Sequence, residues 1–219
     1  MALCILCMGE SGSGKTTSLR TLDPKTTYII DADRKGLSWR GWKKQYNKDN
    51  KNYFQTSDAN MIGNILAAIS SEDGRKHIKT VVIDTLNMIM VDDEMKRSKE
   101  RGFDKWQDLA QCIWELISYI HTLRDDLTVV CLSHSQTERD DTGCMFTRMK
   151  TSGKKLDKLV VESKFTNVLL AKALDGEYVF EVHSDHSTAK TPLDCFSTKT
   201  VPNDMKFIID TLRAYEEEM

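Results

Sequence analysis

Residues 9–16 read Gly9-Glu10-Ser11-Gly12-Ser13-Gly14-Lys15-Thr16 and fit the pattern G-x-x-x-x-G-K-[ST] at every position. The apolar run from Leu3 to Cys7 precedes this motif and predicts a buried strand. The residues from Lys15 to Leu22 predict a helix, which stops at Asp23-Pro24 because proline disfavours a helical residue before it. A strand, a glycine-rich loop and a helix follow one another as a phosphate-binding loop requires, so this stretch predicts an α/β fold.

Each residue type in the glycine-rich loop predicts a contact with the phosphates of a nucleotide. The glycines let successive N–H groups face the phosphates, and the N-terminus of the following helix adds positive potential. Lys15 is predicted to reach the β and γ phosphates, and the Thr16 hydroxyl to bind Mg²⁺. The predicted nucleotide-binding residues are Gly9, Glu10, Ser11, Gly12, Ser13, Gly14, Lys15, Thr16 and Thr17.

The rest of the chain alternates strand-like and helix-like segments, which is typical of a sheet covered by helices. The predicted elements are strands at 27–30, 80–83 and 127–132, helices after Ser57 or Asp58 and over 104–123, a hairpin turning at Asp175-Gly176, and a terminal helix from about Asn203. The polar segments 34–52, 92–105 and 136–153 predict loops or exposed structure. We expect one domain over residues 1–219, with a mostly parallel central sheet flanked by helices and a C-terminal hairpin and helix.

The composition is typical of a folded globular protein, with 40% hydrophobic and 29% charged residues among 219. A net charge of −2 excludes a strongly basic DNA-coating protein, so any nucleic-acid contact must use a local patch. No apolar run reaches the roughly 18 residues of a membrane span, and we expect neither an anchor nor a signal peptide. The six scattered cysteines favour a reducing cytoplasm, and Cys4 and Cys7 are expected to point to opposite faces of one strand.

Acidic and polar residues follow the predicted strands at the sheet edge where open α/β sheets bind ligands. Asp84 closes the strand Val81-Val82-Ile83 and is predicted to hold Mg²⁺ through a water molecule. Asp33 ends the second strand and is a candidate for the acid that activates the attacking water, with Asp31 and Glu94 as rivals. His134 follows the fourth strand and is a candidate sensor of the γ phosphate.

One basic patch stands out between residues 143 and 158, where five Lys or Arg face a single Asp for a net charge of +4. Such a patch predicts contact with a phosphate backbone, with an aromatic side chain available to stack a base. The predicted DNA-binding residues are Phe146, Arg148, Lys150, Lys154 and Lys155. A solvated loop is the alternative interpretation, since lysines are common on surfaces. Lys190 is either a surface lysine or one that reaches a neighbouring subunit's nucleotide.

The ordered set of motifs resembles the RecA-like P-loop ATPases, in particular the small phage-encoded members linked to single-strand annealing and recombination, with an AAA-type ATP-binding domain. The resemblance covers most of the chain. The motifs that carry it are GESGSGKTTSLRTLDPK at 9–25, YIIDADRKGL at 28–37, TVVIDTL at 80–86, CLSHS at 131–135, KTSGKKLDK at 150–158, AKTPLDCF at 189–196 and VPNDM at 201–205.

The resemblance implies roles for several of these residues. It assigns Asp33 to water activation, although an Asp stands where the family usually has Glu. His134 takes the place of a polar residue that is often Gln in RecA-type recombinases, and the loop after it becomes the DNA-binding loop. Lys190 resembles a lysine offered in trans, which implies a filament or ring. A phage-encoded protein of this kind would act in the host cytoplasm.

These observations predict an ATP- and Mg²⁺-dependent, DNA-stimulated ATPase that binds single-stranded DNA as an oligomer and supports recombination or strand annealing. One alternative is an annealing factor that uses ATP as a switch with little turnover, and another is a small-molecule P-loop kinase. A single-strand-binding or annealing protein is expected as a partner. The segment Asn47-Lys48-Asp49-Asn50 does not fit the N-K-x-D motif of GTPases.

Overall fold

A mostly parallel sheet lies at the centre of the fold in a computed structural model that describes residues 1–71, 74–102, 104–139, 143–152 and 160–218. The strands run in the order β3-β2-β4-β5-β1-β7-β8-β9, with β6 paired to β5. All neighbours from β3 to β7 are parallel, and β8 and β9 are antiparallel additions. The strands are β1 (Leu3–Gly9), β2 (Thr27–Asp31), β3 (Tyr53–Phe54), β4 (Thr80–Asp84), β5 (Thr128–Arg139), β6 (Met145–Met149), β7 (Asn167–Leu174), β8 (Glu177–Glu181) and β9 (Thr200–Pro202).

Helices cover both faces of the sheet. They are α1 (Trp42–Gln45), α2 (Ala59–Ser70), α3 (Leu86–Lys96), α4 (Asp104–Ile120) and α5 (Met205–Glu217), with short 3₁₀ helices at Thr17–Thr21 and Val161–Lys164. Buried side chains of α2, α3 and α4 form one core with the sheet, and those of the first 3₁₀ helix and α5 form the other. The prediction of a mostly parallel sheet flanked by helices is confirmed.

Alternate side chains of β1 point to opposite faces of the sheet and pack into the two cores. Cys4, Leu6 and Met8 lie in the core under α2, α3 and α4, whereas Ile5 and Cys7 lie in the core under α5. Cys4 and Cys7 therefore point to opposite faces, as predicted, and both are buried thiols. Burial raises the pKa of each thiol to about 12, so both are protonated and chemically inert at neutral pH.

Several predicted elements are found close to their expected positions. Asp58 caps α2, and its carboxylate accepts a hydrogen bond of 3.0 Å from the Met61 N–H. The β7–β8 hairpin turns at Asp175 and Gly176, which both have positive φ angles of 49° and 85°. The terminal helix α5 begins one residue after its N-cap, Asp204.

The predicted helix over Lys15–Leu22 is wrong in type and length. Only Thr17–Thr21 is helical, and it is a 3₁₀ helix. The Leu19 N–H donates to the carbonyl of Thr16, three residues earlier, which is the hydrogen bond of a 3₁₀ helix. The helix ends before Pro24. A five-residue 3₁₀ helix adds little dipole field, so the expected helix-end contribution to phosphate binding must come instead from the loop itself.

The predicted loop over 136–153 is also wrong in part. Residues 136–139 continue β5 beyond the parallel sheet and pair with β6 in an antiparallel arm. Thr137 lies opposite Thr147, with their hydroxyls 3.1 Å apart. The arm extends past the sheet and has few buried side chains, so its sequence lacks the apolar alternation that marks a half-buried strand.

The charged segment 92–105 is predicted to be exposed, and its described residues are half-buried or exposed apart from Lys105. Its first residues belong to α3, whose earlier turns bury Leu86, Ile89 and Met90 under the sheet. None of the described helices is long and apolar enough to cross a membrane.

Candidate active site

The site is built at the carboxyl edge of the parallel strands. In the register of the sheet, Gly9 at the end of β1 lies opposite His134 of β5, and Asp31 of β2 lies opposite Asp84 of β4. The backbone N–H groups of Ala32 and Asp33 donate to the Asp84 carbonyl at 2.7 and 3.2 Å. Parallel pairing therefore brings the glycine-rich loop and the predicted acids to one edge, as the sequence predicted.

Lys15 lies inside the glycine-rich loop. Its Nζ donates to the carbonyl oxygens of Gly9 and Glu10, both at 2.7 Å, and the residue is buried. Burial lowers the pKa of Lys15 below its ordinary value, which the charge of Asp84 partly opposes. The ammonium is held at the centre of the loop, where the sequence placed a contact to the β and γ phosphates.

Gly9 is confined by its neighbours, and this leads to the first prediction. A Cβ at this position would lie 2.5 Å from Ser13 Oγ and 2.7 Å from the Ala171 carbonyl oxygen, which is backbone and cannot turn aside. We expect Gly9→Ala to lower the free energy of unfolding by about 1–3 kcal/mol and to weaken nucleotide binding. Urea unfolding with and without nucleotide measures both effects.

The control for this prediction is Gly63→Ala, in the interior of α2. A Cβ at Gly63 meets no atom of the described residues within 4 Å, so the change should stabilise the protein by about 0.5–1 kcal/mol. Equal unfolding midpoints for Gly9→Ala and the wild type would contradict the close approach of the loop to β7.

Thr16 and Asp84 form the predicted metal-binding pair. The Thr16 hydroxyl donates to Asp84 Oδ2 at 2.8 Å, and the second carboxylate oxygen, Oδ1, is buried with no partner among the described residues. Burial raises the pKa of Asp84 to about 6, against the opposing effects of Lys35 and Thr16. A buried carboxylate with a free oxygen needs a cation to become favourable as the charged form.

These two side chains fit Mg²⁺. The ion prefers oxygen ligands and usually binds through one or two carboxylates together with waters and substrate phosphates. Within the described ranges no group of three or more His, Cys, Asp and Glu side chains is placed to hold a metal. The hydroxyl of Thr16 and the carboxylate of Asp84 thus supply only part of a ligand set, which suits an ion that also contacts phosphates.

Asp33 lies beside this pair, and both oxygens of its carboxylate accept hydrogen bonds. Oδ1 accepts hydrogen bonds from the Thr85 hydroxyl at 2.8 Å and the Thr85 N–H at 3.2 Å, and Oδ2 accepts one from Lys35. Burial raises the pKa of Asp33, but the bonds from Lys35 and Thr85 outweigh it and leave the pKa below its ordinary value. Asp33 is therefore ionised at neutral pH.

Lys35 is a site residue that the sequence did not indicate. Its ammonium pairs with Asp33, and its charge also acts on Asp84 and Lys15. Burial lowers the pKa of Lys35, but the bond to Asp33 and the fields of the acids raise it above the ordinary value. Positive φ angles at Arg34 (56°) and Gly36 (79°) fold the chain back so that Lys35 meets Asp33.

The two rival acids are placed differently. Asp31 is buried, and its Oδ2 accepts hydrogen bonds from the Gly36 N–H, the Tyr53 hydroxyl and Gln55 Nε2 at 2.8, 2.5 and 3.1 Å. Glu94 lies eight residues beyond Leu86 in α3, about 12 Å along the helix axis from its start. Of the three candidates, Asp33 is the one in contact with the residue that follows Asp84.

His134 lies between the glycine-rich loop and the β5–β6 arm. Burial and the charge of Lys15 lower the pKa of His134, so the imidazole is neutral at pH 7. The Asn87 side chain in α3 accepts from the His134 N–H at 2.5 Å and donates to the Lys150 carbonyl at 2.6 Å. The Lys150 N–H in turn donates to the His134 carbonyl at 2.8 Å. The base of the arm is thus tied to the edge that carries Asp84.

The predicted DNA-binding residues fall in three places. Phe146 and Arg148 lie on one side of the arm, opposite Glu138 and Gln136 in the register. Arg148 is largely buried, with its Nε 4.0 Å from the Glu162 carboxylate. Lys150 is exposed at the base of the arm. Lys154 and Lys155 lie outside the described residues.

Lys190 lies three residues after Ser187, which pairs with Thr147 of the arm. The backbone of Lys190 pairs with Val168, which lies beside Leu6, three residues before the end of β1. The Cα atom of this exposed residue is therefore about 10 Å, measured along the strand direction, from the sheet edge that carries the glycine-rich loop. The structure does not bring Lys190 to this chain's own site residues.

The fold and this edge define a P-loop nucleotide-binding domain, with the loop at the end of β1 and the acids at the ends of β2 and β4. A family model described as an AAA domain matches residues 1–193. The chain belongs to this family of AAA-type P-loop ATPase domains. A comparison with curated proteins gave no match.

Proposed function

We propose that this protein is a RecA-like, Mg²⁺-dependent ATPase that binds single-stranded DNA and supports homologous recombination or strand annealing. The observation that carries the proposal is the convergence of Lys15, Thr16, Asp84 and Asp33 at one sheet edge, directly connected to the base of the β5–β6 arm. An ATPase site and a projecting basic segment then share one structural unit.

Nucleotide binding would use the loop backbone and Lys15 for the phosphates. Thr16 and Asp84 would hold Mg²⁺, which when bound neutralises charge on the β and γ phosphates. Asp33 would orient the attacking water and accept its proton. Because Lys35 occupies one oxygen of Asp33, the ammonium must leave before that oxygen can take a proton. We expect the Lys35 ammonium to move from Asp33 to the γ phosphate of the bound nucleotide.

DNA binding would use the arm. A cavity of about 230 Å³ lies beside Phe146 and is lined by Glu138, Arg139, Arg148, Val160 and Thr188. Phe146 would stack a base, and Lys150 with the predicted Lys154 and Lys155 would contact the backbone phosphates. Because Asn87 bonds to both His134 and Lys150, a shift at the nucleotide would alter the base of the arm.

The test is steady-state ATP hydrolysis with Mg²⁺, measured with and without single-stranded DNA. We expect DNA to stimulate the wild type and Lys15→Ala to abolish turnover. Lys150→Gln should weaken DNA binding and lower the salt dependence of that binding by about one counterion, because one phosphate contact is lost. Lys76→Gln, an exposed lysine before β4, serves as the control and should behave as the wild type.

Turnover that is indifferent to DNA, or a Lys150→Gln variant that binds DNA as the wild type does, would contradict the DNA part of the proposal.

A second candidate function is an annealing factor that uses ATP as an assembly switch. The engagement of Asp33 by both Lys35 and Thr85 favours it, because an occupied base turns over slowly. Tight nucleotide binding, slow hydrolysis and intact annealing would identify this second function.

Self-association into a filament or ring belongs to the same proposal. The exposed Lys190 side chain, remote from its own loop, would reach a neighbour's nucleotide across the subunit interface. A single-strand-binding or annealing protein would be the working partner on DNA.

A further inference from the structure

One side of the glycine-rich loop faces away from the acids. In the sheet, β5, β4 and β2 lie on one side of β1, whereas β7, β8 and β9 lie on the other. Asp84 and Asp33 are on the first side, so the γ phosphate of a bound nucleotide points there. If the proposed nucleotide site is correct, on which this inference rests, the nucleoside leaves the loop on the second side, toward β8 and β9.

Tyr178 presents an aromatic ring on that second side. It is the second residue of β8 and pairs with Ala173, two residues beyond the level at which Ala171 meets Gly9. Its ring atoms Cγ and Cδ1 lie 2.9 Å from the position that a Cβ of Gly14 would take, so the ring rests on the loop backbone. Tyr178 is nevertheless 46% exposed. A half-exposed ring beside a phosphate loop offers a stacking surface.

Asn203 is the neighbour of this ring. Its Nδ2 lies 3.2 Å from the same Cβ position at Gly14, which places the amide and the Tyr178 ring side by side. The residue is only 4% exposed, and neither its Oδ1 nor its Nδ2 has a hydrogen-bond partner among the described residues. Its backbone is fixed, since the Asn203 carbonyl accepts from Arg20. A buried amide with both groups unpaired is rare and calls for a ligand.

We propose that Tyr178 and Asn203 form the nucleobase subsite and select adenine. The base stacks on the Tyr178 ring, and the amide pairs with the edge of the base. A planar amide offers one acceptor and one donor, which match the N6 amino group and the ring nitrogen of adenine. The amide is proposed to pair with the N7 edge of the base, where adenine presents the N6 donor and the N7 acceptor, whereas guanine presents two acceptors there, O6 and N7. Because both amide atoms are covered as the side chains stand, the Tyr178 ring must turn to admit the base.

The experiment compares ligands with and without a base. Dissociation constants for ADP, GDP and pyrophosphate are measured by calorimetry in the presence of Mg²⁺. We expect Tyr178→Ala to weaken ADP at least about tenfold while pyrophosphate stays within about twofold, because stacking involves only the base. Tyr178→Phe keeps the ring and should retain ADP within about threefold. Asn203→Ala should lower the preference for ADP over GDP at least about fivefold.

Phe54→Ala is the matched control, because Phe54 is a similarly exposed aromatic residue (38%) on β3, at the far end of the sheet. It should leave all three constants unchanged. If Tyr178→Ala weakens ADP and pyrophosphate equally, or weakens neither, the ring only supports the loop and the subsite is overturned. A wild type that binds neither ADP nor pyrophosphate would overturn the proposed nucleotide site, and the subsite with it.

Discussion

Asp33→Asn is expected to reduce ATP turnover by about 10²–10⁴-fold while nucleotide affinity stays within about threefold. The substitution keeps the shape of the side chain, so Thr85 can still donate to the remaining oxygen, but an amide cannot accept the proton of the attacking water. Phosphate release gives the turnover number, and calorimetry with ATP gives the affinity. A loss of turnover with retained binding separates the acid from residues that merely hold the nucleotide.

Asp31→Asn is the control, because Asp31 also ends β2 but has a different environment. One oxygen of its carboxylate, Oδ2, accepts from Gly36, Tyr53 and Gln55, and an amide oxygen in that place makes the same bonds without the negative charge that strengthens them. We expect a loss of about 1–2 kcal/mol in the free energy of unfolding, with turnover reduced far less than in Asp33→Asn. If Asp33→Asn hydrolyses ATP within about threefold of the wild type, Asp33 is not the acid. Loss of turnover in Asp31→Asn without destabilisation would assign the role to Asp31.

The sheet edge could be predicted from the sequence because its parts are local. The glycine-rich loop is contiguous, and Asp84 closes a run of buried residues that reads as a strand without further context. Parallel pairing then brings such strand ends together whatever the loops between them do. Asp33, two residues beyond the end of β2, follows from the same rule.

The contacts that could not be predicted depend on turns and on distant strands. Lys35 reaches Asp33 only because Arg34 and Gly36 reverse the chain, and no periodic pattern marks such a turn. Tyr178 and Asn203 meet Gly14 because β8 and β9 extend the sheet beyond β7, more than 160 residues along the chain. The order of strands in a sheet is a long-range property that periodicity does not contain.

The arm of β5 and β6, which the sequence predicted as a loop, and the later turns of α3, which it predicted only as exposed, were not recognised as regular elements for one common reason. The arm of β5 and β6 projects beyond the core, and the later turns of α3 are only partly buried. Their residues satisfy the backbone through pairing or helix formation while the side chains stay polar. Hydrophobic periodicity detects burial rather than hydrogen bonding, so it reads such elements as loops.

Asp84→Asn is expected to stabilise the protein in the absence of nucleotide and Mg²⁺, by up to about 3 kcal/mol at pH 7.5. Burial raises the pKa of Asp84 to about 6 from its ordinary value of 3.8, so ionised Asp84 is unfavourable in the folded state. Between about pH 4 and pH 6 the folded protein holds a proton that the unfolded chain has released, so the stability of the wild type falls as the pH rises through this window. Above pH 6 the full cost of the buried charge remains.

The advantage of the Asn variant therefore depends on pH. It should be largest at pH 7.5, fall to about half at pH 5 and vanish near pH 3, whereas Asp49→Asn, at an exposed carboxylate, should stay within about 0.5 kcal/mol of the wild type throughout. Urea unfolding at each pH measures the difference.

Adding Mg²⁺ with ADP should reverse the order of stability, because the ion stabilises the wild type through the Asp84 carboxylate and the variant lacks that charge. A variant that is no more stable than the wild type at pH 7.5, or whose advantage grows on acidification, would show that the carboxylate is not held at a cost to folding. The expected pattern would instead mean that the fold gives up stability at Asp84 to keep an unpaired oxygen ready for a cation.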